Sequence, residues 1–249
     1  MNINAYQPLP IKSLALLSAI TIGTATVHDL AEELRRQGLP FFYPTLRTQS
    51  PPEIVSRIVQ RVPRIPFILN GTMYDPKDIT RFNGQELHFV LAPSDDHMLV
   101  VDNQGLLRNW LILADIEIYR SIRFIQPQQG GIQMPGILQH LPQGTPAPPP
   151  MPHGFSVPFN AFHEHINFQG KPLFLDKNKG IPDLSEISMG PISFSNWEDE
   201  ISSVQMFGTR RAELFEHTEW KGQELILFKD ERDLHRLGWG DRASSIVSL

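Results

Sequence analysis

Cysteine is absent from all 249 residues of this chain. Without a thiol the protein can form no disulfide, thiolate metal site or cysteine nucleophile, and nothing in its composition supports an oxidising compartment. Long apolar runs are lacking too, since no segment approaches the roughly 18–20 apolar residues of a membrane span. The stretch Ser13–Val27 is interrupted by three threonines, which favours a buried strand over a secretory signal. Localisation stays open between the cytoplasm, which these absences favour, and secretion.

Charged residues are missing from one stretch and unbalanced in another. Residues 126–158 carry none, and their prolines and glycines are typical of a semi-rigid linker. We therefore place a linker at 126–156, between domains formed by 1–125 and 157–249. Residues 1–125 carry twelve basic and twelve acidic side chains, whereas residues 159–249 carry ten and fifteen, and 10 − 15 = −5 is the whole net charge. This charge argues against nucleic-acid binding and is compatible with cation binding, although a solvated acidic surface is its simpler explanation.

The first domain has the pattern of an α+β fold, with helices early and a β-meander late. A capping sequence predicts a helix from Val27 that stops at Gly38, and Ser50-Pro51-Pro52-Glu53 predicts the start of a second helix with Ile58 and Val62 on its apolar face. Asn70-Gly71 is a hairpin turn between two short apolar runs. Three further strands are predicted from their apolar residues, at Glu86–Leu91, Met98–Asp102 and Leu106–Tyr119.

Candidate catalytic residues do not form a recognisable constellation in this sequence. No nucleophile elbow, phosphate-binding glycine loop or His-Glu-x-x-His helix is present, so the sequence favours a protein without enzymatic activity. Two polar groups remain as alternatives. One is a cluster in the first domain formed by His88, Asp95, Asp96 and His97, and the other is a transition-metal site formed by His163, His165 and His217.

The last ninety residues contain an internal duplication with two matched anchors. Trp197–Val204 aligns without a gap on Trp239–Ile246, and His163–Gly170 aligns on Phe215–Gly222. Short apolar runs separated by glycine, asparagine and aspartate predict strands and turns throughout this half, hence an antiparallel sandwich. A longer spacing in the first copy places a loop insertion at Asn178–Phe194.

These anchors resemble those of the βγ-crystallin Greek-key family. Phe215, Trp220 and Gly222 satisfy its opening hairpin pattern in the second copy. In the first copy His163 replaces the opening aromatic residue, and Asn167 stands where the family often has a glycine with positive φ. The resemblance implies one all-β domain over 157–249, with Greek-key motifs at about 157–207 and 209–249. The whole chain is then a multi-domain protein, with an α+β domain preceding this sandwich.

The resemblance also implies calcium binding, because many family members hold two ions between their paired motifs. The carboxylate comes from one motif and the hydroxyl from the other, and backbone carbonyls complete the oxygen shell. By this resemblance the side-chain ligands would be Asp199, Asp241, Ser202 and Ser244. The backbone carbonyls would come from Glu200, Arg242, Glu164 and Glu216. Glu198 and Gly240 depart from the Asn or Asp of the family pattern, and Arg242 adds a positive charge, so weak to moderate affinity is expected. Without any ion, the Asp and Ser residues would serve as turn caps.

Three functions remain open at the level of sequence. The first is a non-enzymatic calcium-binding protein whose residues 1–125 bind a macromolecular partner, for instance another protein. The second is an enzyme or toxin domain at 1–125 with the C-terminal module as its targeting unit. The third is a protease-inhibitor-like crystallin module. The inhibitors of that type are stapled by disulfides, which a chain without cysteine cannot form.

Overall fold

The computed structural model describes residues 11–21, 24–25, 27–38, 58–92, 96–124, 158–190 and 195–249. Helices in this part are α1 (Ile11–Thr21), α2 (Val27–Arg36) and α3 (Gln104–Phe124). The strands of the N-terminal half are β1 (Phe67–Leu69), β2 (Thr72–Tyr74), β3 (His88–Leu91) and β4 (Met98–Val101). The strands of the C-terminal half are β5 (Phe159–His165), β6 (Gln169–Asp176), β7 (Lys179–Ile181), β8 (Ser203–Phe207), β9 (Ala212–His217), β10 (Lys221–Leu227) and β11 (Ser245–Ser248).

The C-terminal strands form two interlocked Greek keys. The first copy of the repeat supplies β5, β6 and β8, which make a three-stranded antiparallel sheet in the order β6-β5-β8. Its third strand, β7, leaves this sheet and pairs with β11 of the second copy. In exchange, Glu231 of the second copy bridges to Val204 in β8. Each copy therefore completes the sheet of the other, and neither can bury its apolar face alone.

The N-terminal strands extend the second Greek-key sheet. Strand β3 pairs in parallel with β10, in the register Glu224–His88, Leu225–Phe89 and Ile226–Val90. The result is one eight-stranded sheet in the order β2-β1-β4-β3-β10-β9-β11-β7. A sheet that runs across both halves of the chain ties them together through backbone hydrogen bonds. The division into separate domains at 125 and 157 stays a prediction from sequence.

Apolar side chains cover both faces of the long sheet. On one face, Phe89 and Leu91 of β3 join the core of the Greek keys, where Trp239, Leu214 and Phe162 are fully buried. On the other face, alternate residues of the same strands pack under the three helices. This second cluster includes Leu17 of α1, Leu34 of α2, Trp110 of α3, Val90 and Ile226. The alternation follows from the two-residue period of a strand, which sends successive side chains to opposite faces.

Strand β6 occupies the position in the first copy that β10 occupies in the second, but it remains at the edge of its sheet. Two residues after the hairpin glycine, the first copy has Pro172 and the second has Glu224. Proline has no N–H to donate and is confined to edge strands. Glu224, by contrast, lies opposite His88 in the seam with β3. This difference favours docking of the N-terminal strands on β10 rather than on β6.

Two strand predictions in the N-terminal half are wrong. Leu106–Tyr119 lies in helix α3, and Ser13–Thr21 lies in helix α1 rather than in a buried strand. Asn103 caps the start of α3, because its carboxamide oxygen accepts a hydrogen bond from the Leu106 N–H at 3.0 Å. In Leu106–Tyr119 the apolar residues Leu107, Trp110, Leu111 and Ala114 recur at helical spacing, a period that the strand prediction missed, whereas the apolar residues of Ser13–Thr21 give no clear period. None of the described helices is long and apolar enough to cross a membrane.

Most of the other predicted elements are confirmed. Helix α2 begins at Val27 and is followed by Gly38 with a φ of 74°, while Phe67–Tyr74 forms the hairpin around Asn70-Gly71. The start of the predicted second helix lies outside the described residues, and Ile58 and Val62 are not helical. The predicted loop at Asn178–Phe194 is wrong in its first part, which forms β7 and a short 3-10 helix over Leu184–Glu186.

Candidate functional site

Two aspartate-bearing loops, one from each copy of the repeat, lie against each other. Asp199 and Asp241 have φ values of 54° and 52°, in the left-handed region that aspartate tolerates better than most residues. The Asp199 N–H donates to the Ala243 carbonyl at 3.1 Å, and the Asp241 N–H donates to the Ile201 carbonyl at 3.0 Å. These reciprocal bonds place the two loops face to face, as the duplicated Greek keys predict.

The second serine of each Ser-Ser pair fixes a hairpin. The Ser203 hydroxyl donates to the His165 carbonyl at 2.6 Å and accepts from the Phe168 N–H at 3.1 Å. Ser245 repeats this pattern with the His217 carbonyl at 2.6 Å and the Trp220 N–H at 3.0 Å. Both hydroxyls are therefore occupied by structure, which leaves the first serine of each pair for other contacts.

Ser202 and Asp241 meet across the two motifs. The buried Ser202 hydroxyl donates to Oδ1 of Asp241 at 2.7 Å and lies 3.1 Å from Nε2 of His235. His235 Nε2 is also 3.8 Å from Asp241 Oδ2. A Cβ at Gly240 would overlap the His235 ring, so the glycine that departs from the family pattern makes room for this imidazole. We refer to these groups as the Asp241 site.

The matching position of the second copy is organised by Arg242. The Ser244 hydroxyl donates to the Glu216 carbonyl at 2.9 Å, so these two oxygens are close enough to bind the same ion. The buried guanidinium of Arg242 donates to Oε1 of Glu216 at 3.0 Å and lies 4.6 Å from the centre of the Trp239 ring. Burial lowers the pKa of Arg242, while Glu216 and Asp199 act in the opposite direction. We refer to Asp199, Ser244 and Glu216 as the Asp199 site.

Negative charge is concentrated around Asp199. Burial raises the pKa of its carboxyl, and the negative charges of Glu198, Asp241 and Glu216 raise this pKa further. The positive charge of Arg61 lowers it in part. A carboxylate with a raised pKa among other carboxylates gains from any cation that comes close. Its environment is thus electrostatically suited to a cation.

The candidate ligands of both sites are oxygen atoms of several kinds, rather than a cluster of acidic or histidine side chains. Among the described residues, no three His, Asp or Glu side chains gather in the way that a metal ion would need from side chains alone. A hard cation would depend on one carboxylate, one hydroxyl and backbone carbonyls at each site, a set that suits calcium. Glu200 follows Asp199 in its loop, and Glu164 lies in the first hairpin, where its carboxylate accepts from the Lys171 N–H at 3.1 Å.

Arg61 is a residue of this site that sequence reasoning missed. Its Nη1 donates to the carbonyls of Gly240 and Asp241, each at 2.8 Å. These partners lie about 180 positions away along the chain, so no local pattern could have indicated the contact. The segment that carries His235 could have been located from the repeat, because Asp233-Leu234 matches Asp183-Leu184 of the first copy.

The alternative polar groups are not brought together. His163 is buried and His165 is exposed, because a β-bulge between them breaks their shared face. His88 is at the start of β3 and His97 lies beyond its other end, so the predicted cluster is divided. His97 contacts Asp96 at 2.6 Å, and Asp95 lies outside the described residues.

The comparisons with solved structures cover 36–39% of this chain. Several solved structures that this chain resembles are βγ-crystallins. One from Ciona intestinalis is 21% identical, with 36% of this chain and 99% of that chain covered and a TM-score of 0.29. One from Flavobacterium johnsoniae is 21% identical, with 36% and 92% covered and a TM-score of 0.30. Hahellin, a βγ-crystallin, is 25% identical, with 36% and 90% covered and a TM-score of 0.29.

These matches confirm the predicted resemblance to βγ-crystallin domains over a little more than a third of the chain. They concern the fold of this part and carry no argument about its ligands. Comparison with family models gives no match, and neither does comparison with curated proteins.

Proposed function

We propose that this protein binds calcium at its facing loops, with weak to moderate affinity. Asp199 and Asp241 would supply carboxylates, and Ser202 and Ser244 would supply hydroxyls. The carbonyls of Glu200, Arg242, Glu164 and Glu216 would complete the oxygen shells. The ion would join the two Greek keys at the point where their loops already exchange hydrogen bonds.

One observation supports this proposal above the others: the hydroxyl of Ser202 lies 2.7 Å from the carboxylate of Asp241, across the two copies of the repeat. A turn cap would bond within its own loop, as Asp183 does with the Ser185 N–H at 2.9 Å. A hydroxyl and a carboxylate held together from different motifs are arranged as two ligands of one ion. The concentration of carboxylates around Asp199 supports the second position.

Calcium should raise the melting temperature of the protein. Binding to the folded state alone stabilises it by about 2.7 kcal/mol at a hundredfold excess over Kd. Thermal unfolding and isothermal titration calorimetry, with calcium and with a chelator, would measure the shift and the affinity. We expect Asp199→Ala and Asp241→Ala each to reduce the shift.

Asp78→Ala is the matched control, because Asp78 lies in the 3-10 helix Pro76–Phe82 of the N-terminal half, where its carboxylate pairs with Arg81 at 3.4 Å. It should lower the melting temperature with and without calcium by the same amount. A wild-type protein whose melting temperature is the same in calcium and in chelator would contradict the proposal, as would equal calcium shifts in all three variants.

The affinity of the protein for calcium should decrease at acidic pH. Protons compete with the metal for the Asp199 carboxylate, and the raised pKa of this group makes that competition begin at a higher pH than for an ordinary aspartate. Titrations at decreasing pH would show the loss, whereas a constant affinity would argue against a role for Asp199. The binding of a macromolecular partner by residues 1–125 stays a prediction from sequence.

A further inference from the structure

A short segment of the N-terminal half lies across the Asp241 loop. We refer to residues 60–64 as the strap. At its first residue, the Gln60 N–H donates to the Asn83 side chain at 2.8 Å and Gln60 Nε2 donates to the Gln85 carbonyl at 2.7 Å. This end of the strap is therefore anchored to the N-terminal half, and β1 begins shortly after its other end.

The rest of the strap is bound to the second Greek key. The Arg64 N–H donates to the Arg236 carbonyl at 2.6 Å, and its Nη1 lies 3.3 Å from Oδ2 of Asp233. Gly238, with a φ of 74°, permits the close approach, because a Cβ there would lie 2.8 Å from the Arg61 carbonyl oxygen. The position of Arg61 is thus fixed from both sides.

The Arg61 guanidinium occupies the surroundings that a cation would need. It donates to two successive carbonyl oxygens, those of Gly240 and Asp241, and its charge lowers the pKa of Asp199 in the opposite loop. A positive group that bonds carbonyl oxygens between two carboxylate-bearing loops compensates their negative charge, as a bound metal ion would. Unlike a metal ion, this group is covalently part of the chain.

We propose that Arg61 is a tethered cation that competes with calcium for the facing loops. The inference rests on the proposed calcium site. Since Arg61 and a divalent ion next to the same loops repel each other, calcium binding and docking of the strap oppose each other. Such opposition is a negative coupling, and it acts equally in both directions. The N-terminal half would in this way tune the calcium affinity of the C-terminal half.

The test compares the wild-type chain with Arg61→Gln and Arg64→Gln, using calcium titration calorimetry and melting temperatures in chelator. Arg61→Gln should lower the melting temperature in chelator, because the bonds to the Asp241 loop are lost. It should also raise the calcium affinity by about tenfold, which corresponds to about 1.4 kcal/mol. Arg64→Gln loosens the same strap without removing the charge at the carbonyls. It should lower the melting temperature with a smaller gain in affinity.

Hydrogen–deuterium exchange gives a readout that is independent of affinity. Calcium should speed exchange of the Arg64 amide in the wild type, since this N–H is bonded to the Arg236 carbonyl only while the strap is docked. Equal calcium affinities in the wild type and Arg61→Gln would overturn the proposal and leave calcium binding standing. Absence of binding in every variant would overturn both, and binding only by Arg61→Gln would support the tethered cation while refuting calcium binding by the wild type.

Discussion

His163 shows how the two copies of the repeat differ at a single residue. It stands at the position of Phe215, and its ring is buried with neither nitrogen bonded to any of the described residues. Burial lowers its pKa from 6.5 to about 4. A residue that the repeat uses as an apolar anchor is therefore a base that the fold keeps neutral.

We expect His163→Phe to make the protein more resistant to acid. The unfolded chain binds a proton at this histidine near pH 6.5, whereas the folded chain does so only near pH 4, so wild-type stability falls as the pH decreases through this interval. Between pH 6.5 and about pH 4, the free energy of unfolding of the variant should fall by up to about 3 kcal/mol less than that of the wild type. Urea unfolding at a series of pH values would measure the difference.

His165→Gln is the control for this experiment, because His165 is an exposed histidine two positions along the same hairpin. Its pH dependence should match that of the wild type. Identical slopes for the wild type and His163→Phe would show that the buried imidazole does not determine acid sensitivity.

Conformation at single residues was the part of the site that sequence predicted best. Asn167 has a φ of 58°, as expected for a residue in place of glycine, and Gly170 and Gly222 have φ values of 76° and 78°. These constraints are local, since a missing Cβ or a short polar side chain limits φ directly. The contact of Arg61 with the Asp241 loop is not local, and no neighbouring residue indicates it.

At the level of elements, the seam between β3 and β10 is held by buried charge. Helix α3 covers it with Arg108, whose guanidinium pairs with Glu213 at 3.2 Å and also with Glu224. His88 lies 3.0 Å from the second oxygen of Glu224. Both carboxylates are almost completely buried, so they depend on these partners for compensation.

Removing Arg108 should therefore destabilise the protein strongly. We expect Arg108→Met to cost roughly 3 kcal/mol, because breaking a buried pair from one side leaves an uncompensated charge. Adding Glu224→Gln should recover part of the loss, since Arg211 still pairs with Glu213 at 2.7 Å. Chemical denaturation of the single and double variants would test this.

Arg81→Met provides the comparison for an exposed pair. Arg81 lies 3.4 Å from Asp78 on the surface, where an ion pair contributes about 0–1 kcal/mol. Similar losses for Arg81→Met and Arg108→Met would contradict the role given to the buried cluster.

The two misassigned elements fail for different reasons. In helix α3, Leu107, Trp110 and Ala114 have helical spacing and pack above the long sheet, so the period was present and was misread. In helix α1, the apolar residues give no clear period, and packing against the long sheet determines their state. The hairpin at Asn70-Gly71 and the strands of the repeat were predictable, since turn chemistry and duplication are written in adjacent residues. Parallel pairing of β3 with β10 joins segments more than a hundred positions apart, beyond the reach of any local signal.

For the whole molecule, the shared sheet couples the stability of the two halves. Strand β10 is central in the full chain, where Leu225, Ile226 and Leu227 are completely buried. Without residues 1–157, its outer edge and part of its apolar surface would face solvent. Exposed apolar edges promote pairing with other chains.

We expect a protein consisting of residues 158–249 alone to melt at a lower temperature than the full chain and to associate as its concentration rises. Thermal unfolding and analytical ultracentrifugation over a range of concentrations would show both effects. Ile226→Lys in this fragment is a useful second variant, because a charge on the exposed edge should restore the monomer. A monomeric fragment as stable as the full chain would mean that the β3–β10 pairing contributes little.

The proline at position 172 has a consequence for assembly. A duplicated unit begins with two equivalent docking edges, and a chain that could use either would be able to lend its N-terminal strands to a neighbour. Repetition of that exchange has no natural end, and the product is a fibre. With Pro172 on one edge and Glu224 on the other, we expect each molecule to accept a single set of strands, which its own sequence supplies. One imino acid thereby removes a second edge on which the strands of a neighbouring chain could dock.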